Sequence, residues 1–464
     1  MRTSIRTWLA SVGVLAGAGG SGLFAQGLPA IPIPDPMPLN VKQVPKSEQG
    51  KVPTPMPMPM PPTKPELPPV PPLEAPTGFV PGCNTCGDVN PNCADPGCAG
   101  DLIAGPKNPV WMSYSQLLLW FQPARATIPL AFDNTRNRVL LNGEAEMGMY
   151  YGYKIDGGMW TNHEHTRGIG ADGFITEHRS KFQSVSGGNI VRPFFDASSG
   201  LQSALFVSNV GGAIPFTGEL ATTNTARFAS AGINIRRNLA YNEQWQIDLS
   251  YGFRYYDLDE SLVVFQRTVS PADNFIQIAN QPGSVPANTA VILRDRSYTR
   301  NQFWGGDVGA HVEWKHGMTF IGLASKLAFG SVHQVTQING ETRNQEGTVM
   351  RQGGLLASGG VDAFGLQDGN LGRFVTNRFS VATDIGLKAG VSITPNTRIS
   401  LGYQFYYMSN VARPGAQFDQ SINQRNVPVS SSFGALTGVR APNVTFDREG
   451  FFAHGVALSM EARY

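Results

Sequence analysis

The chain has 464 residues, 15% of them charged and 41% hydrophobic, with a formal net charge of +2. That balance excludes a surface built to hold nucleic acid or another polyanion by charge alone. Its 53 glycines and 10% aromatic residues exclude a helical bundle and fit a barrel or a sandwich.

Residues 1–25 read as a secretory signal peptide. Arg2 and Arg6 form the basic start and Trp8 to Ala18 the apolar run. Cleavage is expected after Ala25, before Gln26, with Leu23 an imperfect residue at the small-x-small site. The run falls well short of the ~20 apolar residues of a spanning helix. No later stretch supplies them, so a membrane crossing requires a closed barrel. Residues 26–82 are a Pro-rich disordered linker, as in Pro53-Thr54-Pro55-Met56-Pro57. Recurrent Pro prevents strand pairing and favours an extended spacer, which could reach the cell wall. Residues 83–110 hold all four cysteines, Cys83, Cys86, Cys93 and Cys98. An even count in an exported chain reads as two disulfides of open connectivity. A tetrahedral zinc site is the alternative.

From Trp111 to Tyr464 the texture is one of repeated alternating strands. Trp111 to Phe121 is the first. Tyr151, Tyr153 and Ile155 then oppose Gly152, Lys154 and Asp156, within an alternation that starts at Glu144. Ile233 and Ile235 oppose Asn234 and Arg236. Trp245, Leu249, Tyr251 and Phe253 oppose Gln246, Asp248 and Arg254. Trp304, Val308 and Trp314 oppose Asp307, His311 and Glu313. Ile385 and Leu387 oppose Asp384 and Lys388, and Leu401 and Tyr403 oppose Gly402 and Gln404. The last strand sets Val456, Leu458, Met460, Ala462 and Tyr464 against Ala457, Ser459, Glu461 and Arg463.

These runs are long enough to cross a bilayer when tilted. Mid-strand charges do not suit a sandwich core. Aromatics near the ends of the apolar rows suit interfacial girdles. The expected fold is therefore an all-β, antiparallel transmembrane barrel of about 12–14 strands. Lys154, Arg254, Asp307, Glu313, Asp384, Lys388, Glu461 and Arg463 are its lumen-facing candidates. The last strand is expected to close against Trp111–Phe121, with Tyr464 as the terminal signal gripped by barrel-assembly machinery. Tight-turn signals stand at 315–318, 329–331 and 394–397. With a periplasmic C-terminus, the long stretches 341–377 and 409–452 fall outside.

Three motifs bear on chemistry. Gly168-Ile169-Gly170-Ala171-Asp172-Gly173 matches a dinucleotide-binding spacing, but no strand–helix unit surrounds it. His163, His165 and His178 could bind a divalent metal if one face gathered them. His311 is the best candidate base for a membrane-embedded hydrolase, but no serine stands out as its partner. None of the three outweighs a plain barrel wall: no catalytic residue, metal or cofactor is expected.

The barrel region resembles the β-barrel porin family known from planctomycete bacteria. The resemblance is carried by Trp111–Trp120 (WMSYSQLLLW), Tyr251–Ser261 (YGFRYYDLDES), Phe303–His311 (FWGGDVGAH), Leu327–Gly340 (LAFGSVHQVTQING), Leu401–Asp419 (LGYQFYYMSNVARPGAQFD) and His454–Tyr464 (HGVALSMEARY). Arg413-Pro414-Gly415 is its most specific element. Ser115-Gln116 stands where the family often carries an acidic residue. The resemblance implies an outer-membrane barrel and supplies neither substrate nor catalytic residue. The expected function is passive passage of small solutes or an envelope structural role. A closed surface, adhesion or wall-tethering barrel is the alternative, and a hydrolase a more distant one. The expected partners are outer-membrane lipid, the assembly machinery, small solutes and the cell wall through the linker, with no nucleic acid.

Overall fold

The computed structural model describes residues 108–126, 129–143, 146–278, 285–361, 367–434 and 439–464. All of them belong to one compact unit that ends at Tyr464. The expected signal peptide and linker, and the four cysteines, lie outside the described residues.

Ten strands form the ring: β1 Val110–Phe121, β2 Met149–Trp160, β3 Arg167–Thr176, β4 Gly218–Tyr241, β5 Trp245–Val269, β6 Ala290–His316, β7 Thr319–Arg343, β8 Gly372–Thr394, β9 Thr397–Ala412 and β10 Arg448–Arg463. Each pairs antiparallel with its neighbours in sequence. The ring closes where β1 meets β10, from Trp111 opposite Arg463 to Phe121 opposite Ala453. The expected antiparallel barrel and its closing partners are found, but with ten strands rather than 12–14. The shortfall reflects strand length. β4 to β8 run for 24, 25, 27, 25 and 23 residues, so the same residues make fewer strands.

One predicted turn is corrected. Phe329-Gly330-Ser331 lies inside β7, with Gly330 opposite Gly305 on one side and Ser380 on the other. A Cβ on Gly330 would stand 2.0 Å from the Trp304 carbonyl oxygen. The glycine therefore serves close backbone approach within the sheet, not a turn. The turns at 315–318 and 394–397 do join consecutive strands, and Gly317 takes φ +56°. β2 starts at Met149 rather than near Glu144, because Gly148 takes φ +74° and interrupts the extended chain.

Short turns and Tyr464 share one end of the barrel, the turn end. Connections 122–148, 177–217, 270–289, 344–371 and 413–447 gather at the other, the loop end. The outward face of the turn-end half is apolar. Trp245, Leu249, Tyr251, Phe253, Trp304, Val308, Leu387, Leu401 and Leu458 are all exposed there. Ten steps from Trp245 to Tyr255, at ~3.4 Å each and a typical ~40° tilt, rise roughly 26 Å. That matches the apolar band of an outer-membrane barrel. Beyond Tyr255 and Trp304 the outward face turns polar. Arg300 holds Asp257 through two bonds, and Tyr298 donates to Asp259. β4 to β8 thus continue past the band as a tall half-wall, while β1, β2, β9 and β10 are short.

Candidate functional site: the filled lumen

The inward faces stack in layers. At the turn end a charged layer surrounds a cavity of about 150 Å³. Arg398 donates to Glu313 at 2.7 Å, and Arg463 lies 3.5 Å from the same carboxylate. Lys388 pairs with Glu461 at 3.1 Å, and Arg463 also pairs with Glu461. Trp111 forms part of the floor, 5.3 Å from Trp160 and 4.5 Å from the Arg236 guanidinium. Deeper in, Arg254 is fully buried and donates to both oxygens of Asp172, at 2.7 and 2.9 Å. Asp307 at 3.4 Å and Asp384 at 3.9 Å flank it. Lys326 reaches Asp172 at 2.5 Å, and Lys154 lies 3.7 Å from Asp384. Buried charges need such mutual pairing, since a lone one is very costly.

An aromatic layer lies above these charges. Phe121, Tyr150, Phe174, Phe228, Tyr256, Phe303, Tyr406 and Phe451 come from eight of the ten strands. The other two, β7 and β8, contribute Ala328 and Ala382. Phe121 stacks on Tyr150 at 3.8 Å, and Phe228 on Tyr256 at 5.6 Å. Phe174 meets Tyr406 at 4.5 Å, and Phe228 meets Phe451 edge-on at 5.0 Å. Offset and edge-to-face contacts of this kind fill space tightly. A ten-strand ring is narrow enough for side chains to fill.

A strap, residues 410–418, crosses the lumen over this layer. Asn410 takes φ +55° beside an irregularity in β9 register between Met408 and Val411. Asn is among the few residues that adopt this conformation readily, and it turns the chain inward. Gln334 donates to the Asn410 carbonyl at 2.5 Å. Asn301 both donates to and accepts from the Ala412 backbone at 2.8 Å. Arg413 donates to both oxygens of Glu260, at 2.6 and 2.9 Å, and to the Gln122 carbonyl at 3.0 Å. Residues 411–418 are all buried. Beyond the apolar band, burial pushes the Glu260 carboxyl above its ordinary range, against the pull of Arg413.

Above the strap, a small sheet of residues 131–133, 138–141, 189–196, 201–209 and 421–422 caps the loop end. It packs Leu130, Phe194 and Ile422 against Leu262, Val264 and Leu293 of the tall wall. Arg192 pairs with Asp295 at 2.7 Å, and Asp295 also accepts from the Leu356 and Ala357 amides. Burial alone would raise the Asp196 carboxyl, but hydrogen bonds from Ser198 and Ser199 outweigh it and hold it below its usual range.

All eight lumen-facing candidates project inward, into the lower two charged layers, and Tyr464 stands outward at the turn-end rim, half exposed. The three motifs with possible chemistry are not brought together as sites. Gly168 and Gly170 lie on β3, where a Cβ would meet the Trp160 ring at 3.0 Å and the Trp111 ring at 3.5 Å. These glycines make room for indoles, not phosphates. His163 and His165 stand in the turn before β3 and His178 just beyond its far end. That is ~30 Å of strand apart, and no metal-holding cluster exists among the described residues. His311 lies 3.5 Å from Asp248 inside the lumen. Sequence reasoning missed the aromatic layer and the strap. The alternating phase of Tyr256 and Phe303, one residue beyond the outward Tyr255 and before the outward Trp304, was the available signal.

A closed antiparallel ring with an apolar outer band and a charged interior defines an integral barrel of the outer-membrane class. The chain belongs to the family described as putative beta barrel porin-7, whose sequence profile matches residues 117–464. No curated protein matches it. Among solved structures it is similar to the outer membrane protease OmpT from Escherichia coli, at 13% identity and a TM-score of 0.35, over 77% of this chain and 97% of that one. It is also similar to the Pseudomonas putida toluene transporter TodX, at 8% identity and a TM-score of 0.22, over 78% and 93%. A Pseudomonas aeruginosa FadL homologue gives 11% identity and a TM-score of 0.18, over 82% and 95%. The family and the apolar band give the localisation as the outer membrane.

Proposed function

We propose that this protein is an outer-membrane barrel with a closed lumen, serving as an envelope structural and surface-presenting protein. The observation that carries the reading is the aromatic layer: rings from eight strands meet across the lumen, with the strap and the capping sheet above them. Passive passage of small solutes, the other reading of a porin-family barrel, requires that layer to part. In this reading the turn end is periplasmic and the loop end faces outward, following the usual pairing of short inner turns with long outer loops. An exported chain with a signal peptide at 1–25 would place its Pro-rich leader in the periplasm, free to contact the cell wall. Lipid would cover the apolar band, and the assembly machinery would engage Tyr464. No catalytic role is assigned to the lumen groups, whose charges are committed to one another.

The test is planar-bilayer recording with purified full-length protein at neutral pH. Insertion without conductance steps is the expected result. Regular, reproducible steps from the folded protein would overturn the closed reading in favour of solute passage.

A further inference from the structure

The strap closes the lumen below the capping sheet, and part of its seat is polar. The sheet is held by a broad apolar cluster. The strap is held by ladder pairing of Val411 and Ala412 with Glu449 and Arg448, by the apolar seats of Val411 and Phe418, by amide contacts to Asn301 and Gln334, and by one buried ion pair, Arg413 with Glu260. Both charged side chains are nearly inaccessible, 1% and 4% exposed. Around this pair lies a cavity of only about 10 Å³, lined by Gln122, Tyr150, Asn224, Glu260 and Arg413. Four buried polar atoms on that lining have no hydrogen-bond partner among the described residues: Arg413 Nη1, Asn224 Nδ2, the Tyr150 hydroxyl and Gln122 Oε1. The inner wall beside it is equally under-satisfied. Thr299 stands opposite Glu260 in the ladder, fully buried, with its hydroxyl unpartnered among the described residues.

A buried polar group without a partner is destabilising, and water would satisfy these groups if the strap lifted. Breaking one side of a buried ion pair leaves the other charge uncompensated. The ion pair is therefore the one charged hold that the strap has on the tall wall, and it is set in surroundings that favour hydration.

We propose that Arg413 and Glu260 form a releasable latch, and that losing it frees residues 413–417, between the ladder-paired Ala412 and the apolar-seated Phe418, and hydrates the inner wall of β4 to β7 down to the aromatic layer. This rests on the closed-lumen reading and deepens it: the strap is the movable part of the closure, and the aromatic layer the fixed part.

The experiment uses Thr299→Cys in the full-length chain, reconstituted in liposomes, with labelling by a membrane-impermeant maleimide measured above the background of the chain without that substitution. Folding of every variant is checked by the gel shift between unheated and boiled samples. With the native latch, the introduced thiol should be protected. Adding Glu260→Gln should speed labelling at least tenfold, and Arg413→Gln should do the same. The charge-reversed pair Glu260→Arg with Arg413→Glu should restore protection. Equal protection in folded Glu260→Gln and Arg413→Gln chains would overturn the latch. So would fast labelling with the native latch intact. Bilayer recording of the native latch separates the two claims: conductance there sinks the closed lumen, whereas unchanged labelling sinks only the latch.

Discussion

At the residue scale, face decides what a side chain tolerates. Leu458 is 58% exposed on the apolar band, while Glu461, three residues on, is 7% exposed and bonded to Lys388 and Arg463. A charge on the lipid-facing side of such a barrel costs up to ~2–4 kcal/mol at mid-membrane depth, with Asp at the lower end. Leu458→Asp is expected to cut the yield of folded barrel severalfold, read as the heat-modifiable fraction after refolding into lipid vesicles. Glu461→Gln is expected to insert at close to the parental yield, because an amide can still accept from Lys388 and Arg463. Its cost should appear instead as a modest loss in denaturant resistance, about 1–2 kcal/mol. The reverse ranking would contradict the assigned faces. Much of this was legible in the sequence, since Val456 to Tyr464 alternate without a break. Which partner each charge finds was not, because Glu313 meets Arg398 from a strand 85 residues away.

At the element scale, the ten strands do two jobs that one sequence pattern cannot separate. In the turn-end half, the inward row is charged and the outward row apolar, so alternation names the faces. In the tall half-wall the inward row becomes mixed: Leu258, Leu262 and Val264 are buried beside Glu260 and Gln266, and the outward row carries Asp257 and Asp259. The pattern changes near Tyr255-Tyr256 and Phe303-Trp304, where both faces are aromatic. Two adjacent aromatics hide the change from a reading of period alone. This is also where the aromatic layer sits, so its removal is the decisive perturbation. The double variant Phe228→Ala with Tyr406→Ala is expected to stay folded with a lower melting temperature, since each large-to-small change in a packed layer costs ~3–5 kcal/mol. Coupled with loss of the Arg413–Glu260 latch, it should give conductance steps in planar bilayers where the parent gives none. A folded triple variant that remains silent would mean that the capping sheet alone closes the lumen.

At the scale of the whole molecule, the two ends differ in kind. The turn end offers short connections and a charged cavity. The loop end carries a half-wall of five long strands and a capping sheet drawn from three separate connections. Such an arrangement fits the proposed surface-presenting role, in which the loop end faces outward. The orientation has a direct check. In whole cells, Ser431→Cys in the 413–447 connection should react with an impermeant maleimide, measured above the parent chain's own cysteines. Asn396→Cys in the β8–β9 turn should react only after the outer membrane is permeabilised. The opposite pattern would invert the molecule in its membrane.

The sequence by itself determined the strand period, the lipid and lumen faces of the turn-end half, the closing pair of first and last strands, and the long connections at one end. These follow from local alternation, because a strand's two faces are set by neighbours two residues apart. The tertiary structure alone decided the ring of ten, the filled lumen and the strap. Strand number depends on how far each strand continues past the membrane, which period does not encode. The aromatic layer exists only when eight distant strands bring one ring each to the same height. The strap turns inward at Asn410 because Asn301, Gln334 and Glu260, from three other strands, wait there to receive it.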